Sequence, residues 1–169
     1  AEQARGVHAR PERPGELRRF RVAPETLHSR IILFTTVEKE TSAGFRVELL
    51  SWSEARAHAA PIRFAVFVEE QRVPAEIELD EMDAKSLHAV AFGNRSAVGT
   101  GRLLPDGHIG RMAVLKDWRG RGVGSLILKA LVDAARNRGD REIVLSAQVH
   151  ATAFYRRHGF VEEGAGYME

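Results

Sequence analysis

Short apolar runs bounded by Gly, Pro and Asn turns divide the second part of the chain into strands and helices. They predict five strands, at residues 45–50, 86–92, 97–104, 109–115 and 142–147. Two longer stretches have the spacing of amphipathic helices: one follows a Ser-x-x-Glu capping box at residue 51 and is interrupted at Pro61, and the other ends at Gly139. A short helix at 151–158 and a last strand from Gly159 complete the pattern.

The connections between these elements set the directions of the strands. Tight turns at 93–95 and 105–107 join three strands, which are therefore antiparallel. A helix separates the fourth strand, 109–115, from the fifth, 142–147, so these two are parallel. The sequence thus predicts one α/β domain of the α+β type, with a mixed, mostly antiparallel sheet flanked by helices.

The first 44 residues differ in composition from the rest. Residues 1–30 contain three prolines, few apolar side chains, seven arginines and four glutamates, which is typical of a flexible tail. Residues 31–37 have strong strand propensity and are a candidate extra strand. We therefore predict a flexible extension at 1–44 and a folded domain at 45–169. An arginine-rich organelle leader is the alternative, against which the four glutamates argue.

Composition and charge exclude several functions. The chain has no cysteine, so it has no disulfide framework, thiolate zinc site or cysteine nucleophile, and this favours a reducing, cytoplasmic location. Its net charge of +2 is +3 in residues 1–30 and −1 in the rest, so the body lacks the basic face expected of a nucleic-acid partner. No apolar run is long enough for a membrane span, and the histidines have no close paired spacing for a metal.

An anion-binding loop is predicted between the fourth strand and the following helix. Gly120, Gly122 and Gly124 bring backbone N–H groups to the positive end of the helix dipole, and Arg119 and Arg121 add charge that can bind phosphate. A Walker loop would need a Gly-Lys-Ser/Thr ending, and a dinucleotide fingerprint would need Gly-x-Gly-x-x-Gly with a later acidic residue. The sequence has neither pattern.

The remaining pattern, Arg-x-x-Gly-x-Gly at 119–124, resembles the acetyl-CoA pyrophosphate loop of the GNAT N-acetyltransferase superfamily. Residues 153–160 resemble the Phe-Tyr-x-x-x-Gly-Phe element of the same superfamily. The string RFAVFVEEQRVP at 63–74 resembles the N-terminal signature of the ElaA-type branch, and four further signature positions follow it: Glu78, Asp80, Asp83 and His88.

This resemblance implies a fold and a reaction. The fourth and fifth strands would splay apart with pantetheine between them, and an acetyl group would pass from acetyl-CoA to a primary amine of a small molecule or peptide by direct attack in a ternary complex. Tyr155 would be the general acid that protonates the departing thiolate, and backbone N–H groups near 112–114 would meet the oxyanion. The residues assigned to the co-substrate are Met112, Ala113, Val114, Arg119, Gly120, Arg121, Gly122, Val123, Gly124 and Ser125.

The general base is harder to assign. Glu69, Glu70, Asp80 and Asp83 flank the region of the acceptor site in this superfamily, and our hypothesis is Glu70. A metal site at Asp80, Asp83 and His88 is a remote alternative, so we expect no metal.

One departure from the superfamily bears on activity. Its last strand normally runs on into a Gly-Ile-Pro-His element, whereas this chain stops at Glu169. The strand that closes the sheet is then missing or supplied otherwise. A non-catalytic acyl-CoA-binding module is therefore an alternative to an enzyme. The presence of Tyr155 favours the enzyme. A homodimer is a further open alternative.

Overall fold

The structure is a computed structural model that describes residues 16–22 and 44–168, with the backbone alone at 165–168. The strands in this part of the chain are β1 (Glu16–Val22), β2 (Phe45–Leu50), β3 (Leu87–Gly93), β4 (Ser96–Leu103), β5 (His108–Val114), β6 (Ile143–Gln148) and β7 (Val161–Met168). The α-helices are α1 (Trp52–Arg63), α2 (Ala75–Glu78), α3 (Val123–Arg138) and α4 (Thr152–Arg157), and a π-helical turn, Phe64–Glu70, continues α1.

The strands form one sheet in the order β2-β3-β4-β5-β6-β1-β7. Every neighbouring pair is antiparallel except β5 and β6, which are parallel. Helices cover both faces: Val90 of β3 packs on Ala55 of α1, whereas its neighbour Ala91 belongs to the core cluster that contains α3 and Tyr155 of α4. The prediction of a mixed, mostly antiparallel sheet flanked by helices is confirmed.

The parallel strands β5 and β6 separate soon after they begin. They pair only at His108 with Val144 and at Ile109 with Leu145, although β5 continues to Val114. A bulge in β5 next to Arg111, whose φ is +50°, bends the strand. Beyond Ile109 and Leu145 the two strands no longer pair, so a gap is left between the ends of β5 and β6, while the other edge of β6 pairs along its whole length with β1. The predicted splay of the fourth and fifth strands is confirmed.

The prediction that residues 1–30 are a flexible tail is wrong for Glu16–Val22, which form β1. The strand has period-2 alternation, since Phe20 and Val22 are buried while Arg19 and Arg21 are exposed. Nearby prolines and the high arginine content obscured this pattern in the sequence. The candidate strand at 31–37 lies outside the described residues.

Strand β1 lies between β6 and β7, so these two strands are not paired to each other. Its arginines are matched to glutamates of β7: Arg18 Nη1 donates to Glu162 Oε1 at 2.7 Å, and Arg21 Nε lies 2.7 Å from Glu163 Oε1. The sequence left open whether another segment supplies the strand that closes the sheet next to the last strand. In the structure β1 supplies it, between β6 and β7.

Candidate active site

The gap between β5 and β6 is lined on one side by backbone groups of β5. Leu115 N donates to Val98 O at 2.9 Å, and Ala113 pairs with Thr100, so both residues turn their backbone groups toward β4. Successive residues of a strand direct these groups to opposite sides. The N–H groups of Met112 and Val114 therefore face the gap, while the Ala113 side chain packs with the α1 and π-helical residues.

The glycine loop lies at the end of β5 and opens α3. Gly120 and Gly122 have φ values of +75° and +82°, and a Cβ built on either would meet no atom within 4 Å. The backbone is therefore accessible to a ligand on that side, and the left-handed conformation favours glycine there. Gly124 is closer to protein atoms, because a Cβ would lie 3.5 Å from the Phe154 ring. The Arg121 guanidinium stacks over Trp118 at 5.0 Å.

Two other predicted co-substrate residues are in the first turn of α3. Val123 is 1% exposed, so its side chain belongs to the core and only its backbone can serve a ligand. Ser125 is half-buried. The N–H groups of such a first turn have no partner within the helix, which suits an anion.

Arg119 does not point freely into solvent. Its Nε donates to Val114 O at 2.8 Å, and its Nη2 donates to both carboxylate oxygens of Glu70 at 3.0 and 2.9 Å. The predicted base and a predicted phosphate ligand are thus an ion pair at the mouth of the gap. Both side chains stay accessible, with 43% exposure for Arg119 and 38% for Glu70.

Tyr155 lies beneath the gap on α4. Its ring packs among Phe20, Phe154 and Phe160 at centroid distances of 5.8, 5.0 and 6.1 Å. Its hydroxyl lies 3.8 Å from the sulfur of Met112, the β5 residue whose N–H faces the gap. Burial raises the pKa of Tyr155 to about 12, so the hydroxyl is protonated at neutral pH and can act as a proton donor.

The acidic candidates Asp80 and Asp83 belong to a separate buried cluster. Asp83 is 1% exposed and accepts from Arg63 Nη1 at 2.6 Å and from Arg102 Nη1 at 2.8 Å. Burial opposes its ionisation, but the hydrogen bonds from Arg63 and from the Asp80 N–H outweigh this effect and lower the pKa of Asp83. A carboxylate held by two arginines is a poor proton acceptor.

The remaining members of this cluster extend it across three segments of the chain. Glu78 Oε1 accepts from Arg63 Nε at 2.6 Å, and His88 Nε2 lies 2.9 Å from the backbone oxygen of Asp83. Burial lowers the pKa of His88, which favours the neutral ring. The signature positions of the ElaA-type branch thus form an internal ion network. Within the described part, no group of three His, Asp or Glu side chains is arranged to hold a metal ion.

Sequence reasoning overlooked Arg102 and Arg111 of this network, and it included Arg63 only as the first residue of the signature string at 63–74. Arg102 carried a usable signal, since it is a lone charge in an otherwise apolar or small-residue strand. Arg111 reaches from the β5 bulge to the backbone oxygen of Ile77 at 3.3 Å. These contacts tie the loop before β3 to β5, next to the gap.

Comparison with known proteins identifies the family. A family model described as "Acetyltransferase (GNAT) domain" matches residues 48–169. The chain belongs to the GNAT acetyltransferase family. No helix in the described residues is both long and apolar enough to cross a membrane.

Individual relatives support the ElaA-type branch. "Uncharacterized N-acetyltransferase YjcF" of Bacillus subtilis is 44% identical over 102 residues, which cover 59% of this chain and 73% of that protein. "Protein ElaA" of Escherichia coli is 32% identical over 116 residues, covering 64% and 76%. The crystal structure of Escherichia coli ElaA has a TM-score of 0.67 at 25% identity, covering 74% of this chain and 93% of that one.

A further solved structure has a similar fold. The acyl-CoA N-acyltransferase from Pseudomonas aeruginosa has a TM-score of 0.66 at 28% identity, and the match covers 74% of this chain and 94% of that one. This chain is therefore an acetyltransferase of the GNAT type.

Proposed function

We propose that this protein is an acetyl-CoA-dependent N-acetyltransferase whose acceptor is a primary amine of a small molecule or peptide. The observation that carries the proposal is the gap between β5 and β6, which has the glycine loop at its mouth and the Tyr155 hydroxyl beneath it. These groups fit the three tasks of the reaction, which are binding a pyrophosphate, polarising a thioester carbonyl and protonating a thiolate.

The residues around the glycine loop suit coenzyme A. Gly120 and Gly122 leave room for phosphate oxygens beside the backbone, and Arg119 and Arg121 supply positive charge. When bound, acetyl-CoA supplies an acyl group activated as a thioester. The N–H groups of Met112 and Val114 would then donate hydrogen bonds to the carbonyl oxygen, and these donors need not move during the reaction.

Tyr155 would be the general acid. As the amine nitrogen bonds to the carbonyl carbon, the carbon–sulfur bond breaks and the sulfur takes up negative charge. The protonated hydroxyl of Tyr155, next to Met112 at the gap, is available to give a proton to the departing sulfur of coenzyme A. The attacking amine must lose a proton as well. The sequence hypothesis for that base is Glu70, which would have to leave its ion pair with Arg119 before it could accept the proton.

The rival is an acyl-CoA-binding module without activity. It is favoured by the state of three of the four acidic candidates, since Asp80, Asp83 and Glu70 are in ion pairs with arginines. Thiol release from acetyl-CoA, followed across a panel of polyamines, amino sugars and lysine-containing peptides, separates the two functions. Release that depends on one class of amine supports the enzyme. Tight coenzyme A binding without release from any amine supports the module.

Two loop variants test whether binding occurs at the glycine loop. Gly122→Asp adds a negative charge where phosphate is expected and should weaken coenzyme A binding at least tenfold, the loss of one charge-assisted contact. Gly139→Asp is the matched control, because Gly139 has a similar φ of +86° and equally open surroundings at the far end of α3. Equal affinities in the two variants would contradict the proposed binding site.

A further inference from the structure

Two consecutive exposed residues, Glu70 and Gln71, reach both sides of the gap between β5 and β6. Glu70 accepts from Arg119, in the loop after β5, at 3.0 and 2.9 Å. Gln148, the last residue of β6, donates through Nε2 to Gln71 Oε1 at 3.5 Å. We call Glu70–Gln71 the strap. It crosses the mouth of the gap at the end where the glycine loop lies.

The backbone that carries the strap is irregular. The preceding turn is π-helical, with Gln71 N donating to Val66 O at 3.1 Å, and Val73 N then donates to Phe67 O at 2.9 Å. Between them, Arg72 has a φ of +63°, which is uncommon for a residue other than glycine. Single π-helical turns and strained residues concentrate at functional sites. Here this geometry directs two polar side chains across the gap.

The electrostatics of Arg119 give the strap a consequence for ligand binding. Its Nε is bound to Val114 O and its Nη2 to Glu70. A pyrophosphate at the glycine loop would compete with Glu70 for this guanidinium. If the phosphate displaced Glu70, an ion pair would be lost. If it bound at the remaining Nη1, the Glu70 carboxylate would stay nearby and repel it. In either case the charge of Glu70 lowers the affinity for an anionic ligand.

We infer that the strap closes the gap in the free protein and that coenzyme A opens it, because the pyrophosphate takes Arg119 from Glu70. The inference rests on the proposed function, since it places that pyrophosphate at the glycine loop. Glu70 is then a competitor of the pyrophosphate, and the ion pair sets how tightly coenzyme A binds. This role differs from that of a general base, which acts on the acceptor amine and has no reason to change coenzyme A affinity.

The test is calorimetry of coenzyme A binding to the wild type, Glu70→Gln and Glu69→Gln at physiological salt. Glu69 is the matched control, because it is adjacent and exposed, and it forms no ion pair with the residues that the structure describes. Glu70→Gln should bind coenzyme A up to about fivefold more tightly, the factor equivalent to ~1 kcal/mol for an exposed ion pair. Glu69→Gln should change the affinity by less than about twofold, because exposed charges outside the pair are screened.

Inorganic pyrophosphate provides a second readout that a merely structural role would not change. Its own dissociation constant, obtained by displacement of coenzyme A whose affinity is known for each protein, should fall in Glu70→Gln by the same factor, because Glu70 competes with the pyrophosphate group alone. Gln71→Ala removes the contact on the β6 side and keeps the charge. It should leave the affinity for inorganic pyrophosphate unchanged.

The possible outcomes separate the strap from the proposed function. If the wild type binds no coenzyme A, the proposed function fails. If coenzyme A binds and Glu70→Gln equals Glu69→Gln, the strap inference is overturned while the proposed function stands. Weaker binding in Glu70→Gln also overturns it, since Glu70 would then hold Arg119 in place for the phosphate. An unchanged affinity with turnover reduced a hundredfold or more would instead identify Glu70 as the base.

Discussion

At the scale of single residues, the proposed role of Tyr155 as general acid depends on its surroundings. Its hydroxyl lies 3.8 Å from the Met112 sulfur, a weak acceptor, while its ring is enclosed by aromatic side chains. The same burial that fixes the ring raises the pKa of the phenol to about 12. A donor with only a weak internal partner is available to a leaving group at the gap.

Replacing Tyr155 with Phe tests this role. The variant keeps the ring packing and loses only the donor, so turnover should fall by about 10²–10⁴-fold, while coenzyme A affinity stays close to that of the wild type. Steady-state thiol release with the best amine of the panel gives the turnover, and calorimetry gives the affinity. Wild-type turnover in this variant would remove Tyr155 from the mechanism.

The raised pKa of Tyr155 also predicts a pH dependence of stability. Between pH 10 and 12 the phenol ionises in the unfolded chain but stays protonated in the folded protein, because its pKa is raised from 10.0 to about 12. The unfolded state then binds fewer protons, so the free energy of unfolding falls as pH rises. The loss from this group should be about 1 kcal/mol at pH 11 and reach roughly 2–3 kcal/mol above pH 12.

Denaturant titrations of the wild type and Tyr155→Phe at pH 9 and pH 11 measure this loss. The difference between the two proteins should shift by about 1 kcal/mol over that interval, because the Phe variant lacks the group. Other titrating side chains contribute equally to both proteins. A constant difference would show that the phenol is not buried in the folded protein.

At the scale of elements, the buried ion network joins α1 to the loop before β3 and to β4. Arg63, at the end of α1, is 1% exposed and pairs with Glu78 and Asp83 at 2.6 Å each. Arg102 of β4 adds pairs to Asp80 and Asp83. Removing one charge from such a cluster leaves the others buried without a partner, which costs more than the pair contributes.

Arg63→Met should therefore lower the free energy of unfolding by about 3–5 kcal/mol. Arg56→Met is the matched control, since Arg56 is an exposed residue of the same helix and the change should cost less than about 0.5 kcal/mol. Urea denaturation of both variants checks the difference. A cost below 1 kcal/mol for Arg63→Met would show that the cluster is hydrated in solution.

The same elements show what the sequence could and could not predict. β5, the glycine loop and α3 were predictable because apolar spacing and alternating glycines are local signals. The pairing of Arg63 with Glu78 joins residues far apart in sequence, so no local spacing indicates that it is buried. Pro61 was predicted to interrupt the helix, yet α1 continues through it to Arg63 and into the π-helical turn. The splay itself followed from family resemblance, since it depends on a bulge at Arg111.

At the scale of the whole molecule, β1 connects the two ends of the described chain. β6 and β7 meet only through it, because it pairs with Gln148 to Ile143 on one side and with β7 on the other. Without β1 both strands would present unpaired N–H and C=O groups. The family match begins at residue 48, so β1 lies outside the matched region and contributes a wall to the site. The ring of Phe20 in β1 packs against the Tyr155 ring, with 5.8 Å between the ring centroids.

Phe20→Ala tests whether this strand is part of the folded molecule. Phe20 is 0% exposed, and removing a buried phenyl ring should lower the free energy of unfolding by about 3–5 kcal/mol through lost burial and the cavity that remains. Arg19→Ala is the matched control on the same strand, because the Arg19 side chain is 50% exposed and its change should cost less than about 0.5 kcal/mol.

Hydrogen exchange locates the effect within the sheet. If β1 holds β6 and β7 together, amides of both strands should exchange faster in Phe20→Ala than in Arg19→Ala, whereas amides of β3 and β4, which β1 does not touch, should be affected only through global unfolding. Turnover should fall as well, since Tyr155 loses a wall of its pocket and the hydroxyl is no longer fixed beside Met112. A Phe20→Ala protein with unchanged stability and unchanged protection of β6 would show that Glu16–Val22 does not occupy the sheet in solution, and that Tyr155 is positioned by Phe154 and Phe160 without it.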